Sequence, residues 1–361
     1  MRRAMVRSVI GATIVLIATG LTACGSQSAD GGASGAGGRR GGTVTLLTHD
    51  AFAASPEVLA EFTARTGTRI EILQPGDAGV VVNEAILRSG RPVADVLYGV
   101  DNTFLSRAFD ADIFEPGTAP SARLVAGTPV DPERRVVPVD RGDVCVVYDR
   151  TWFGRDGRPP PPVSFDDLID PRYRGLTVVE DAAASSPGFA FLLATIAARG
   201  EDGWQDYWRA LRSNDVRVVA GWTEAYLQDF TAGGGPGDRP IVVSYGSSPP
   251  ADVVGSSPPR SEPRVGVVDS TCFRQHEFAG VLRGTDRPEA ARDLVAFLVS
   301  RRFQEDLPLQ MYVSPVVAGA AVPPVFARWA VVPSDPLDLP DARIDAGRDE
   351  WIRRWTDLVL R

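Results

Sequence analysis

From Thr43 onward, short apolar runs alternate with amphipathic stretches. Thr43 to Leu47 reads as a buried strand bounded by Gly42 and the polar pair His49-Asp50. Ser55 suits a helix N-cap, with Pro56 at the first helical position and Glu57 favourable to the helix dipole. Val58, Leu59 and Phe62 form the apolar stripe of that helix, and Gly67 ends it. Arg69 to Ile72 alternates as a strand, Val80 to Ser89 predicts a helix and Ala94 to Val100 a further strand. The pattern returns with a strand over Leu176 to Val179, helices over Pro187 to Ala198 and Gly203 to Arg212, and a strand over Ile241 to Tyr245. His276 to Leu282 is strand-like, and Pro288 opens a helix with Ala291, Leu294, Val295 and Leu298 on one face. In the last helix, Arg348 to Leu360, Trp351 and Trp355 stand four residues apart, a spacing that suits packing. Strands alternating with helices predict an α/β sheet covered by helices.

Two stretches read as loops that form no core element. One is Gly246-Ser-Ser-Pro-Pro250, repeated as Gly255-Ser-Ser-Pro-Pro259; the other is Pro159 to Pro162. Upstream of the periodic region, Arg2, Arg3 and Arg7 precede an apolar run from Val9 to Ile17 and the sequence Leu21-Thr-Ala-Cys24. A basic segment, a short apolar run and small residues make a secretory signal. The apolar run is shorter than the ~20 residues that span a membrane. The ending resembles a lipobox, which implies removal of residues 1–23 and lipidation of Cys24. Residues 25–42, rich in Gly, Ser and Ala, read as a flexible tether.

Loss of residues 1–23 removes three arginines and no acid, deepening the formal charge from −8 to −11. An acidic domain disfavours nucleic acid as a partner and suits a cationic solute. Beyond Cys24 only Cys145 and Cys272 remain; an exported chain permits a disulfide between them, and two buried thiols are the alternative. With only two histidines, no metal-ligand cluster is expected.

Several segments, taken in order, resemble the periplasmic thiamine-binding proteins of ABC importers. They are Leu47-Thr-His-Asp-Ala-Phe-Ala-Ala54, Ala94-Asp-Val-Leu-Tyr-Gly-Val-Asp-Asn102, Glu180-Asp181 with Ser185-Ser-Pro-Gly188, Gly221-Trp-Thr-Glu-Ala-Tyr226, Val243-Ser-Tyr245 with Ser247-Ser-Pro249, and Met311-Tyr-Val-Ser-Pro-Val316. The resemblance implies a two-lobed periplasmic-binding-protein fold of type II, with lobes joined by strands crossing a hinge near Val136 to Tyr148 and Thr271 to Leu282. Residues 43–141 and 275–361 would form lobe 1, and residues 142–274 lobe 2. It further implies a monomeric, non-enzymatic capture protein without a cofactor or metal. Such a protein would be anchored outside the cell membrane, and its partners would be thiamine or its phosphates and an ABC permease.

A permanently cationic thiazolium calls for carboxylates and aromatic faces in the interlobe cleft. The candidates are His49, Asp50, Asp101, Asn102, Trp222, Tyr226, Tyr245 and Tyr312. Trp222 could equally be a core residue, and Asp50 and Asp101 helix caps. Ser185, Ser186 and Gly188 open a helix and offer hydroxyl and backbone N–H groups to the phosphate of an ester, or simply cap it. Aromatic residues that the family often carries are missing at His49, Pro56 and Ala251, which weakens the case for thiamine more than that for a binding protein. A polyamine, a phosphonate or ferric ion remains open as ligand. A hydrolase or an adhesive surface protein would be a different class; no Gly-x-Ser-x-Gly elbow is present.

Overall fold

The computed structural model describes residues 41–258 and 260–361. The expected signal, Cys24 and most of the tether lie outside the described residues. No described helix is long and apolar enough to cross a membrane.

Among the described residues, nine strands make one mixed sheet. They are β1 (Gly42–Leu47), β2 (Thr68–Leu73), β3 (Val96–Asp101), β4 (Val136–Asp149), β5 (Thr177–Glu180), β6 (Arg217–Val219), β7 (Ile241–Tyr245), β8 (Val265–Val281) and β9 (Ser314–Pro315). Their order is β2-β1-β3-β8-β4-β7-β5-β6, with β9 on β4. The outer strands β2-β1-β3 and β7-β5-β6 are parallel within each group, as strand–helix–strand units require. Between these wings run β4 and β8, of 14 and 17 residues, paired antiparallel from Val136↔Gly280 to Asp149↔Val265. The end of β8 receives β3, and the end of β4 receives β7. The two long strands therefore belong to both wings, which is the hinge-crossing arrangement expected near Val136 to Tyr148 and Thr271 to Leu282. The fold class is the α/β one read from the sequence.

Local sequence accounts for the helices that cover the sheet. The helix Pro56–Thr66 starts after Ser55, buries Val58 and Phe62, and stops at Gly67 with φ 73°. Ser55 holds the N-cap position, but its hydroxyl donates to Asp306 and not to its own helix. The helical stretch Ser186–Ser213 breaks at Gly200, which matches the two helices read there. Its second part meets the final helix, Asp341–Val359, through Trp208 and Trp355, edge to face at 5.5 Å. Both rings are buried, consistent with packing.

One loop expectation fails. The first Gly-Ser-Ser-Pro-Pro copy runs into a helix, Ser248–Val254, whose Ser248, Pro249 and Pro250 are buried. Proline is tolerated in a first helical turn because its missing N–H would have had no intrahelical partner. The second copy forms no helix or strand among its described residues. Cys145 and Cys272 form a disulfide that ties β4 to β8 beside the register shift between Val144 and Val146.

Candidate functional site

Alternation along β4 and β8 sorts their side chains by face. Asp140, Gln275 and Glu277 turn toward one side, Arg141, Asp143, Arg274 and His276 toward the other. On the first side Tyr98 donates a 2.5 Å hydrogen bond to Asp140, and Gln275 donates to the hydroxyl of Ser186 at 2.7 Å. On the second, Arg274 pairs with Asp143 at 2.7 Å. One face of the hinge is acidic and the other basic.

The acidic face is built on a local irregularity. Gly99, with φ 92°, makes a bulge in β3 where its pairing with β8 shifts. A Cβ there would come within 2.4 Å of the His49 ring, so only glycine lets the imidazole lie across the strand. His49 thereby comes to 3.5 Å from Glu277, an ion contact longer than a good hydrogen bond. Burial disfavours a charged His49, but Glu277, with Asp77 and Asp50 behind it, outweighs burial and raises its pKa. Glu277 stays charged despite burial because His49 and Asp140 favour its anion. Asp140 goes the other way: burial and then the charge of Glu277 push it well above the carboxylate range. Two neighbouring carboxyls thus hold one proton between them.

More buried acids converge here. Asp101 is fully buried, with one oxygen accepting from the Thr103 N–H at 2.6 Å and the other without a partner. Burial first, then Glu277 and Asp77, lift its pKa to about 7, against the hydrogen bonds of Thr103. Glu180, at the end of β5, has both carboxylate oxygens buried and unpartnered, and burial raises it well above its usual range. Buried polar atoms without partners are rare enough to mark places where another group is meant to bind.

The opposite wing supplies an aromatic wall. Trp222 stacks on Tyr226 with centroids 5.1 Å apart and an interplanar angle of 13°, and Tyr245 lies 6.5 Å away. The indole N–H donates to Ser244 at 2.8 Å, and Ser244 is hydrogen-bonded to Ser248. Trp222 is half-buried: it packs against the buried cluster that includes Val147, Tyr226 and Phe230, and its N–H is already used. The ring of Tyr245 lies against Gly142 of β4, where a Cβ would meet it at 2.8 Å. Burial and the charges of Glu277, Asp77, Asp101 and Asp140 hold the Tyr245 phenol well above its ordinary value. Acids and aromatics therefore share one site.

Asp77 joins the wings. It caps the helix Ala78–Leu87, accepting from Ala78, and also accepts from the backbone N–H groups of Ser186 and Trp222, each at 3.1 Å. The Gly79 N–H donates to Ala184 alongside, also at 3.1 Å. Sequence reading began this helix at Val80 and missed Asp77, whose only signal was an acid placed to cap an apolar helix. Tyr98, Asp140, Glu180, Gln275 and Glu277 were missed as well.

Among the expected residues, His49, Asp101, Ser186, Trp222, Tyr226 and Tyr245 come together. Tyr312, half-buried with φ 55°, lies near Tyr226, and its carbonyl accepts from Ser247. Asp50 is exposed and adds only its charge near His49. Asn102 does not belong to the site: its side chain bonds the backbone of Arg274 and His276 and lines a separate cavity of about 690 Å³ with Arg135 and Phe109. The donors expected to seat a phosphate are engaged, Ser186 N–H by Asp77 and Gly188 N–H by the Ser185 hydroxyl. Gly188 serves packing, since a Cβ there would strike the Glu180 carbonyl at 2.8 Å.

The model of the bacterial extracellular solute-binding proteins matches residues 91–330. The chain belongs to that family. This solute-binding protein is 27% identical over 323 residues to the thiamine-binding periplasmic protein of Salmonella typhimurium, covering 88% of this chain and 94% of the relative. The protein of the same name from Haemophilus influenzae is 26% identical over 290 residues, covering 78% and 82%. Among solved structures, a periplasmic thiamin binding protein superposes with TM-score 0.77 at 25% identity, over 91% of this chain and all of that one. Iron-bound HitA from Pseudomonas aeruginosa shares the fold with TM-score 0.66 at 18% identity, over 88% and 99%. The solute-binding protein thus has the two-lobed architecture that its motifs implied.

Proposed function

We propose that this solute-binding protein captures thiamine, or a phosphate ester of it, between its lobes and hands it to an ABC permease. A monomer held on the extracytoplasmic side of the cell membrane by a lipid on Cys24 suits that task, with residues 43–141 and 275–361 as one lobe and 142–274 as the other. The observation that carries the reading is the convergence of the half-buried Asp77 and the buried Asp101, Asp140, Glu180 and Glu277 on the wall of Trp222, Tyr226 and Tyr245. A cation that cannot shed its charge gains from both: it compensates the acids, and each aromatic face contributes about 0.5–2 kcal/mol. The thiamine-binding names of the similar proteins agree with this chemistry. A capture protein needs no nucleophile, and none is asked of these residues.

Calorimetric titration with thiamine, its monophosphate and diphosphate, and spermidine tests the reading. Thiamine or an ester is expected to bind at least about tenfold tighter than spermidine, a difference of about 1.4 kcal/mol. Binding of spermidine alone would reassign the cleft to polyamines, and heat from none of the four would remove the proposal.

A further inference from the structure

The basic face of the hinge carries a feature that the cleft does not use. Arg141 lies in β4 next to Asp140 but points away from the acids, into a pocket of about 290 Å³. Its walls are Val125, Pro315, Val317, Phe326 and Val332, from the segments around β9 and the helix Pro324–Trp329. Val125, Val322 and Val332, each at least 40% exposed, converge on this spot. Exposed apolar side chains gathered round a concavity mark a binding surface.

The guanidinium is the pocket's one cationic side chain among the lining residues. Its Nε is buried without a hydrogen-bond partner, and the nearby carboxylate, Asp143, is taken by Arg274 at 2.7 Å. Burial disfavours the Arg141 charge, Asp143 partly offsets this, and Arg274 disfavours it further. An arginine so placed gains most from an anion that brings two acceptor oxygens, because its donors form a planar fork. The apolar walls exclude a small hydrated anion as the best match, and the volume stands at the lower end of the range for small-molecule sites.

We infer that Arg141 and its apolar surround form a second ligand site, on the face of the hinge opposite the cleft, for a small carboxylate with a ring-sized apolar body. The site rests on none of the cleft residues, so it stands or falls independently of thiamine capture. Its occupant would touch β9 just beyond Tyr312, and Val331, between the lining residues Ala330 and Val332, donates its N–H to Gly246, next to Tyr245.

Benzoate is the probe and benzyl alcohol its neutral counterpart, titrated into the full chain by ligand-observed NMR, with melting temperature followed in parallel. Benzoate is expected to bind and to raise the melting temperature, and benzyl alcohol to bind at least about tenfold more weakly. Arg141→Gln should weaken benzoate at least about tenfold. Val322→Trp, at a 41% exposed position, should block the pocket while leaving the fold intact. No benzoate binding up to about 10 mM, a range reaching below millimolar affinity, would overturn the inference. So would equal binding of benzyl alcohol, or unchanged benzoate affinity in both variants. If Arg141→Gln melts too low to be titrated, Val322→Trp decides alone.

Discussion

Asp101 shows how one side chain can weaken the fold for the sake of a site. Its carboxyl titrates at about 7 in the folded chain, mainly because burial penalises the anion. Between its ordinary value of 3.8 and about 7, the folded protein therefore holds a proton that the unfolded chain has released. Stability from this group is present at low pH and is lost as pH rises through that window. Asp101→Asn keeps an acceptor for the Thr103 N–H and removes the titration. The variant should be more stable than the parent at pH 8, by about 1–3 kcal/mol, the range for relieving an uncompensated buried group. The margin should shrink towards pH 4. Denaturant unfolding at several pH values reads this directly, and a constant difference across the range would contradict it. Residues of this kind were only half legible in the sequence. Asp101 stood in a family-like motif and was nominated, whereas Asp140 and Glu277 sat inside strands where an acid carries no local signal. Their burial follows from the register of β4 and β8, which no short window contains.

At the scale of elements, most strands and helices followed from apolar spacing and caps, and the errors have physical causes. The helix Ala78–Leu87 begins earlier than the apolar run suggested because Asp77, Ala78 and Gly79 form its first turn. That helix end also ties the two wings of the sheet together. Asp77 accepts two N–H groups from across the cleft, at Ser186 and Trp222, where the backbone donors of two helix starts are unsatisfied by their own helices. Asp77→Ala should loosen this link between the wings of the sheet. Hydrogen bonds to a charged group contribute about 1.5–3 kcal/mol net, and loss of one such bond moves a two-state ratio by roughly ten- to a hundredfold. Small-angle scattering of the variant without ligand should give a larger radius of gyration than the parent. An identical radius would mean that Asp77 serves only as a cap. The same bond explains why the helix start at Ser185 and Ser186, attractive as a phosphate seat in the sequence, is already occupied by an anion from the protein itself.

Across the whole molecule the two hinge faces carry opposite charge, and the protons held on the acidic face respond to whatever enters it. Burial alone raises Asp77, burial with the repulsion of neighbouring acids raises Asp101, Asp140 and Glu180, and His49 is raised by Glu277 once burial is overcome. Glu277 is the exception, already held in its charged form. A permanent cation in the cleft favours the anion of each acid and disfavours the cation of His49, so every raised group changes in the same direction. Capture must then release protons near neutral pH, chiefly from Asp101, whose pKa of about 7 leaves it about half protonated there. By linkage, affinity must also rise with pH through the same region. Thiamine titrations at pH 7 in buffers of different ionisation enthalpy should show net proton release, and the dissociation constant should fall between pH 6 and pH 8. In Asp101→Asn the release should be smaller, while binding itself persists through the remaining acids and the Trp222 face. Binding heats independent of buffer, or proton uptake, would show that the ligand's charge does not meet this cluster. Thiamine would then be held by the aromatic wall alone.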